Sequence, residues 1–180
     1  SDMATLFSGT TVDGLFPGKG NVSVKKLASK TLLYAVEDKS IAFDIKSRGN
    51  LVPTLHTLWT IAGAEGNRGC GLREVLIHPQ VSTFIMNGAD LMLPGVATLS
   101  CLEGITEGEV VAIRVLGNPL PFAVGEAEAG WSHIQQCGKK GKGVAVLHLY
   151  GDMLWRANGR VAPNAGFTPE AKMILPIEEE

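Results

Sequence analysis

Residues 87–96 read Asn87-Gly88-Ala89-Asp90-Leu91-Met92-Leu93-Pro94-Gly95-Val96, and the fold turns on what brackets this stretch. Gly88 and Gly95 can take φ > 0 where other residues cannot. Pro94 fixes φ and has no N–H to donate. Leu91, Met92 and Leu93 form an apolar run the size of a short buried strand or turn. The segment is expected to anchor its middle in a core and bare backbone at both ends, which suits the holding of a phosphate or a nucleic-acid end. The same residues also suit a structural turn from a helix into a strand, because Gly and Pro punctuate structure.

Upstream, residues 74–77 form a short strand that His78-Pro79 closes. Val81, Phe84 and Ile85 then share one helical face, and Asn87-Gly88 supplies a C-terminal glycine stop. Downstream, 110–116 is a strong strand and Gly117-Asn118-Pro119 a turn. Residues 121–127 give a second strand, with Gly125 allowing a bulge or close approach. A short helix at 131–137, a basic glycine loop at 138–143 and a third strand at 144–150 follow. Gly151-Asp152 is expected to turn into a last strand at 153–156, Asp favouring turns. Short strands separated by glycine turns, in a chain with 22 glycines, imply a small barrel.

Ahead of this barrel lie three strand-like runs, 21–27, 31–36 and 41–45, with polar turns at 37–40 and 47–50. Pro53 sits at a plausible first helical position. Leu55, Leu58, Trp59 and Ala62 follow at helical spacing, an apolar stripe to lay on a sheet. Gly63, Gly66, Gly69 and Gly71 mark a flexible loop near the module boundary. The fold class is therefore α+β, with an α/β module over 1–72 and a mostly β pseudo-barrel over 73–162. Residues 163–180, with Pro163, Pro169, Pro176 and Glu178-Glu179-Glu180, are expected to be a mobile acidic tail. Residues 3–20 read as a loose lead-in anchored by Leu15 and Phe16, and Ser1-Asp2 as a cloning remnant.

The chain of 180 residues has room for one domain or two small ones, and its 45% hydrophobic content can form a core. The net charge of −2 excludes a generic polycation, so any nucleic-acid contact must come from local clusters. No apolar run approaches a membrane span, and the N-terminus lacks a signal-peptide pattern. Cys70, Cys101 and Cys137 are odd in number and far apart. They read as free thiols in a reducing, cytoplasmic setting, without a disulfide framework or a metal site.

No nucleophile elbow, zinc-protease, P-loop or dinucleotide fingerprint is present, so no catalytic residue and no cofactor is assigned and the chain does not read as an enzyme. His56, His78, His133 and His148 are scattered and read as packed or solvent histidines. The loop at 138–143 says more. Lys139, Lys140 and Lys142 stand among Gly138, Gly141 and Gly143. Glycines admit close backbone approach to a phosphate and lysines supply point charges. A solvated loop is the alternative. Arg156 and Arg160 extend the positive character, and Lys25, Lys26 and Lys30 form a second basic patch. Trp59, Trp131 and Trp155 read as core or interface anchors, which favours recognition of backbone and shape over base-specific readout.

Residues 88–96, with 108–113, 121–125, 140–148 and 152–156, resemble the signature stretches of PUA domains in order and spacing. Pro53-Thr54-Leu55-His56-Thr57-Leu58-Trp59 adds a resemblance to the pre-PUA plus PUA region of eukaryotic translation initiation factor 2D (ligatin), related to the malignant T-cell amplified sequence protein. The resemblance covers roughly 16–160. It implies a pre-PUA module followed by a PUA pseudo-barrel, and a nonstandard initiation or ribosome-recycling role in which tRNA is placed at or released from the P site of the small subunit without GTP hydrolysis. It implies small-subunit RNA and a tRNA acceptor end as partners, together with a protein or C-terminal domains carrying the start-site-selecting module. Carried over, Gly88, Ala89, Asp90, Pro94, Gly95 and Val96 match one lip of an RNA groove. Lys139, Lys140, Lys142, Gly143 and Arg156 match the other, and Lys25, Lys26 and Lys30 are candidate ribosome contacts. The chain departs from the family pattern in its glycine-rich lead-in and its longer 63–71 loop, and it stops before the further domains of the full factor. PUA domains also accompany RNA-modification enzymes, so an accessory RNA-binding role or a protein-interaction role is the alternative.

Overall fold

The computed structural model describes residues 21–27, 29–45, 51–63, 66 and 69–169. The expected lead-in at 3–20, the turn at 47–50, much of the 63–71 loop and the chain from 170 onward lie outside the described residues.

The first module is an antiparallel meander, order β1-β2-β3-β4, of β1 (Val22–Lys26), β2 (Leu32–Val36), β3 (Lys39–Asp44) and β4 (Leu51–Pro53). Glu37 and Asp38 alone join β2 to β3, both at positive φ (47° and 68°), the hairpin form whose twist matches the flanking strands. Pro53 ends β4 rather than opening the helix. Thr54 takes the N-cap of α1 (Leu55–Ala62), its hydroxyl oxygen accepting from the Thr57 amide at 3.4 Å. Thr54 donates in turn to Ser40 O (2.8 Å) and Thr57 to Ile41 O (2.7 Å), which stitches the start of α1 onto β3. Leu55, Leu58, Trp59 and Ala62 are buried, as their spacing requires.

The second module is a five-stranded sheet, order β5-β7-β8-β9-β6, with β5 (Arg73–Ile77), β6 (Leu91–Met92), β7 (Val110–Val115), β8 (Ala123–Ala127) and β9 (Lys142–Leu149). β5 and β7 are parallel and the other pairs antiparallel. A bridge between Ile77 and Val96, with the Ala97 amide donating to Leu76 O at 2.8 Å, joins the two sheet edges into a pseudo-barrel. Closure hides edges that would otherwise template pairing. Gly125 is required by close approach: a Cβ there would collide with Ala145 O and stand 2.5 Å from Val144 Cγ1. Ile77, Leu91, Leu93, Val96, Ile113, Phe122 and Val144 fill the barrel core.

The element expected as a last strand is a helix, α4 (Met153–Ala157), following α2 (Pro79–Met86) and α3 (Trp131–Cys137). An apolar run of this length carries too little periodicity to separate helix from strand. Asp152 decides it by capping: its Oδ1 accepts from the Trp155 amide at 2.8 Å.

The two modules share a seam. The Trp59 indole N–H donates to Pro121 O at 2.8 Å, and Phe43 meets the His148 ring edge-on at 6.0 Å. Asn158, buried, accepts from Ser40 N (2.9 Å) and donates to Ser40 O (2.8 Å), while Lys39 Nζ donates to Asn158 O (2.8 Å). The seam reaches into the expected tail. Phe167 is buried 5.4 Å from the Trp59 ring and 5.3 Å from that of Tyr150, and Asn118 Nδ2 donates to Thr168 O at 2.9 Å. Within the described residues 163–169, Phe167 is thus packed on the body. No described helix is long and apolar enough to cross a membrane.

Candidate nucleic-acid interface

The 87–96 arc begins as a helix stop. Gly88 has φ 95°, its amide donates to Ile85 O (2.9 Å) and the Ala89 amide to Phe84 O (3.1 Å). This is the paired Schellman pattern, and only glycine enters its left-handed position without strain. The backbone expected to be bare at Gly88 and Ala89 is therefore engaged at its N–H groups. Gly95 differs from expectation in another way. Positive φ is not what it provides; a Cβ there would stand 2.9 Å from Val81 Cγ1, so glycine lets α2 rest on the arc. Between them Leu91 and Leu93 are buried and Met92 is half exposed. Phe84, expected beside Val81 and Ile85 on an inward face, is 67% exposed, while Ser82 and Ile85 point inward.

The arc lies along β9. Leu91 pairs with Val144 and Met92 with Lys142, and the Leu93 amide donates to Gly141 O at 2.9 Å. Gly143 permits this: a Cβ would stand 3.0 Å from Leu93 Cδ2. The pairing brings the sequence-expected lips together over long separations. Asp90 Oδ1 accepts from the Val146 amide (2.8 Å), and Asp90 Oδ2 pairs with Lys142 Nζ (2.7 Å), with Glu128 3.8 Å from the same ammonium. Lys139 Nζ donates to the buried Val96's carbonyl at 2.5 Å. Lys139 and Lys142 thus brace the arc, while Lys140 is exposed at the loop tip.

Arg156 is exposed on α4 and its Nε donates to Gly151 O at 3.0 Å. Gly151 in turn lies close to the end of α2, 3.9 Å separating Met86 Cε from the position of a Cβ. Met86 thus ties the end of α2 to the turn before α4, and Lys139 ties the lysine loop to Val96. Asp152 fixes α4: besides capping it, its Oδ2 meets His148 Nδ1 at 2.6 Å and accepts from the Leu149 amide at 3.0 Å. Burial pushes the Asp152 carboxyl up, but His148 and the Trp155 and Leu149 amides outweigh this and hold it below the ordinary carboxylate range. Lys25 and Lys26 lie on the wholly exposed β1 and Lys30 in the following turn, on the other sheet from the arc. Among the described residues no cluster of His, Cys, Asp or Glu is placed to hold a metal. Burial raises the Cys70 thiol to about 12 and makes it inert.

Residues 72–153 match the family described as "elF2D, PUA domain", and residues 2–61 the Pre-PUA-like domain. The chain belongs to the pre-PUA/PUA family of the eIF2D type. Mouse eukaryotic translation initiation factor 2D is 35% identical over 159 residues, covering 86% of this chain and 26% of that protein. Translation machinery-associated protein 20 of Eremothecium gossypii is 27% identical over 148 residues, covering 80% of this chain and 76% of that shorter protein. Among solved structures, the hypothetical protein PH0734.1 of Pyrococcus horikoshii superposes with a TM-score of 0.67 at 24% identity, covering 87% of this chain and 90% of that one. The chain spans about a quarter of the length of its eIF2D relatives. The PUA domain supplies the arc and the lysine loop, and the pre-PUA module packs on it through Trp59 and Ser40.

Proposed function

We propose that the strip formed by the arc, the 139–143 loop and Arg156 holds RNA, with a tRNA acceptor end as the ligand. We further propose that the chain is the RNA- and ribosome-binding part of a factor helping to place or release tRNA at the P site of the small ribosomal subunit without GTP hydrolysis. The observation that carries this reading is the pairing of β6 with β9, which brings Lys139 and Lys142 onto the arc and leaves Lys140 exposed at the loop tip. Exposed cations neutralise phosphates and fix register without reading sequence. Lys140 is the phosphate contact, Arg156 a second cation at the far end, and Lys139 and Lys142 hold the arc in shape. The 35% identity to eIF2D supplies the translational setting. Lys25, Lys26 and Lys30 on the pre-PUA module form the ribosome-facing patch in this proposal. The role is one of binding, with no bond made or broken.

The test is sedimentation with small ribosomal subunits at low salt, with and without initiator tRNA. Co-sedimentation is expected, and Lys140→Glu with Lys142→Glu should lower affinity and flatten its salt dependence. Absence of association at low salt overturns the proposal; unchanged affinity and salt slope in the variant remove these lysines from the site.

A further inference from the structure

Helix α4 carries Arg156, yet none of its residues Met153–Ala157 is buried. So short a helix cannot hold itself in place by its own hydrogen bonds. Asp152 caps its start, and Asn158 at its end is bonded to Ser40. Between them the half-buried Trp155 is held from the side. Its ring centre lies 4.6 Å from that of Tyr150, and its indole N–H donates to Val161 O at 3.1 Å. Tyr150 is itself a fixed support, its amide donating to Phe122 O at 2.8 Å.

Residues 161–168 form a strap over the same place. Val161 O receives the Trp155 indole at one end, and Thr168 O receives Asn118 Nδ2 at the other, 2.9 Å away. Asn118 is buried and its side-chain oxygen accepts from the Leu120 amide at 3.1 Å, which fixes the aim of its amide group. Near its second end the strap turns, the Phe167 amide donating to Asn164 O at 3.2 Å. Phe167 is the buried residue of the strap; the others are exposed or half-buried. Its ring meets Tyr150 at 5.3 Å and Trp59 of α1 at 5.4 Å, so one side chain docks the strap.

We propose that Phe167 is a positioning residue for RNA binding: it docks the strap, the docked strap and Tyr150 set Trp155, and Trp155 sets the direction of Arg156. The inference rests on the RNA-binding reading of Arg156. The contacts at the two ends of α4 are single polar side chains, whereas Trp155 brings a large ring to its side. Arg156 follows that ring by one residue, about 100° of helical turn. An exposed arginine loses rotamer freedom when it grips a phosphate, and a fixed backbone beneath it lowers that cost. The strap lies beyond the residues 72–153 that match the PUA family, so affinity responds to a segment outside the matched domain. Undocking it leaves every cation of the strip in the chain and still weakens binding.

The experiment is a double-mutant cycle on the whole chain, with fluorescently labelled initiator tRNA as the probe at fixed low salt. Phe167→Ala should weaken binding about threefold and Arg156→Gln about fivefold. With Arg156→Gln already present, Phe167→Ala should cost nothing further; with Lys140→Glu present it should keep its full effect. Trp155→Phe, which keeps a ring but removes the bond to Val161, should behave as Phe167→Ala does. Should Phe167→Ala unfold, Phe167→Leu fills the space without a ring and should give the same pattern at smaller size. Hydrogen exchange of the free protein supplies a readout that needs no RNA. The Phe167 variants should speed exchange at the Asn158, Gly159 and Arg160 amides, which close α4, and leave the Leu93 and Val146 amides of the arc unchanged. Equal losses from Phe167→Ala with and without Arg156, or unaltered exchange in α4, overturn the positioning role. If neither Arg156→Gln nor Lys140→Glu lowers tRNA affinity, the RNA-binding reading falls and the positioning role with it, and faster exchange then marks the strap as a support for α4 alone.

Discussion

Helices α2 and α4 of the second module end on the same local device. One reads Asn87-Gly88-Ala89 and the other Asn158-Gly159-Arg160. Each glycine has a left-handed φ, 95° and 93°. Each makes the paired closing bonds: Gly88 and Ala89 to Ile85 O and Phe84 O, Gly159 and Arg160 to Arg156 O (3.1 Å) and Trp155 O (3.2 Å). What differs is the asparagine. Asn87 is exposed and delivers the chain to the arc, whereas Asn158 is buried and binds both backbone polar groups of Ser40 in the pre-PUA module. The backbone device is local, while its use is set by what packs over it. One end leaves a surface available to a ligand; the other fixes two modules together.

The largest effect that would test this contrast is expected at the asparagines. Asn158→Ala removes the side-chain acceptor of the Ser40 N–H and one of the two side-chain donors to its C=O, the other being Thr54, and should cost about 2 kcal/mol. Asn87→Ala should cost about 0.5 kcal/mol or less, as surface changes do. Urea denaturation of the two variants measures both. Equal costs would mean that Asn158 is no clamp and that the modules are held by Trp59 and Phe167 alone. A smaller effect is expected at the glycines, where the device is shared. Ala at position 88 or 159 must take a left-handed conformation and should cost about 1–2 kcal/mol in either place. A Cβ at 88 meets nothing within 4 Å, and one at 159 meets the tip of Lys39 at 3.1 Å, which can swing away, and Val161 Cγ2 at an ordinary 3.8 Å. Near-equal losses, read from the same denaturation curves, are the expected result. A much larger loss at 159 would show that the seam tolerates no adjustment of Lys39.

The helix stop at Asn87-Gly88 was legible because its signal is local and needs no tertiary contact. So were the α1 stripe, strands β1 to β3, β5, β7, β8 and β9, and the close approach at Gly125, whereas β4 was not, its Pro53 reading as a helix start. The stop at Asn158-Gly159 carried the same signal and was missed, because Met153-Leu154-Trp155-Arg156 also fits a strand and Asp152 fits a turn as readily as a cap. The fates of the lysines were not legible at all. Lys142 pairs with Asp90 and Lys139 with Val96 O across large stretches of chain, and only the antiparallel register of β6 on β9 brings them together. Phe84 looked like core because it falls near the apolar period of α2. The sheet closure instead buries Ser82 and leaves Phe84 outward. Local punctuation therefore gave the arc its boundaries, while tertiary register decided which of its groups remain available to a ligand.

The smallest expected effect concerns the pH response of the seam. His56 lies on α1, and with Leu55, Trp59, His148, Trp155, Asn158 and Val161 it lines a cavity of about 10 Å³. Burial, and then the Lys39 ammonium, hold its pKa below the ordinary 6.5. The folded protein therefore binds fewer protons at this ring than the unfolded chain does. The associated stability is present in full above pH 6.5 and is lost as pH falls from there through the lower folded value. Asp152 acts in the same direction but further down: its folded pKa lies below the ordinary 3.8, so its contribution persists above that value and fades only in stronger acid. Thermal melts in small steps from pH 8 to pH 3 should therefore show two separate declines. His56→Gln should remove the upper decline and leave the lower one in place. His56 is not among the residues of the strip, so RNA affinity at pH 7.5 should not change in this variant. An upper decline that survives the substitution would move the titrating group away from the seam.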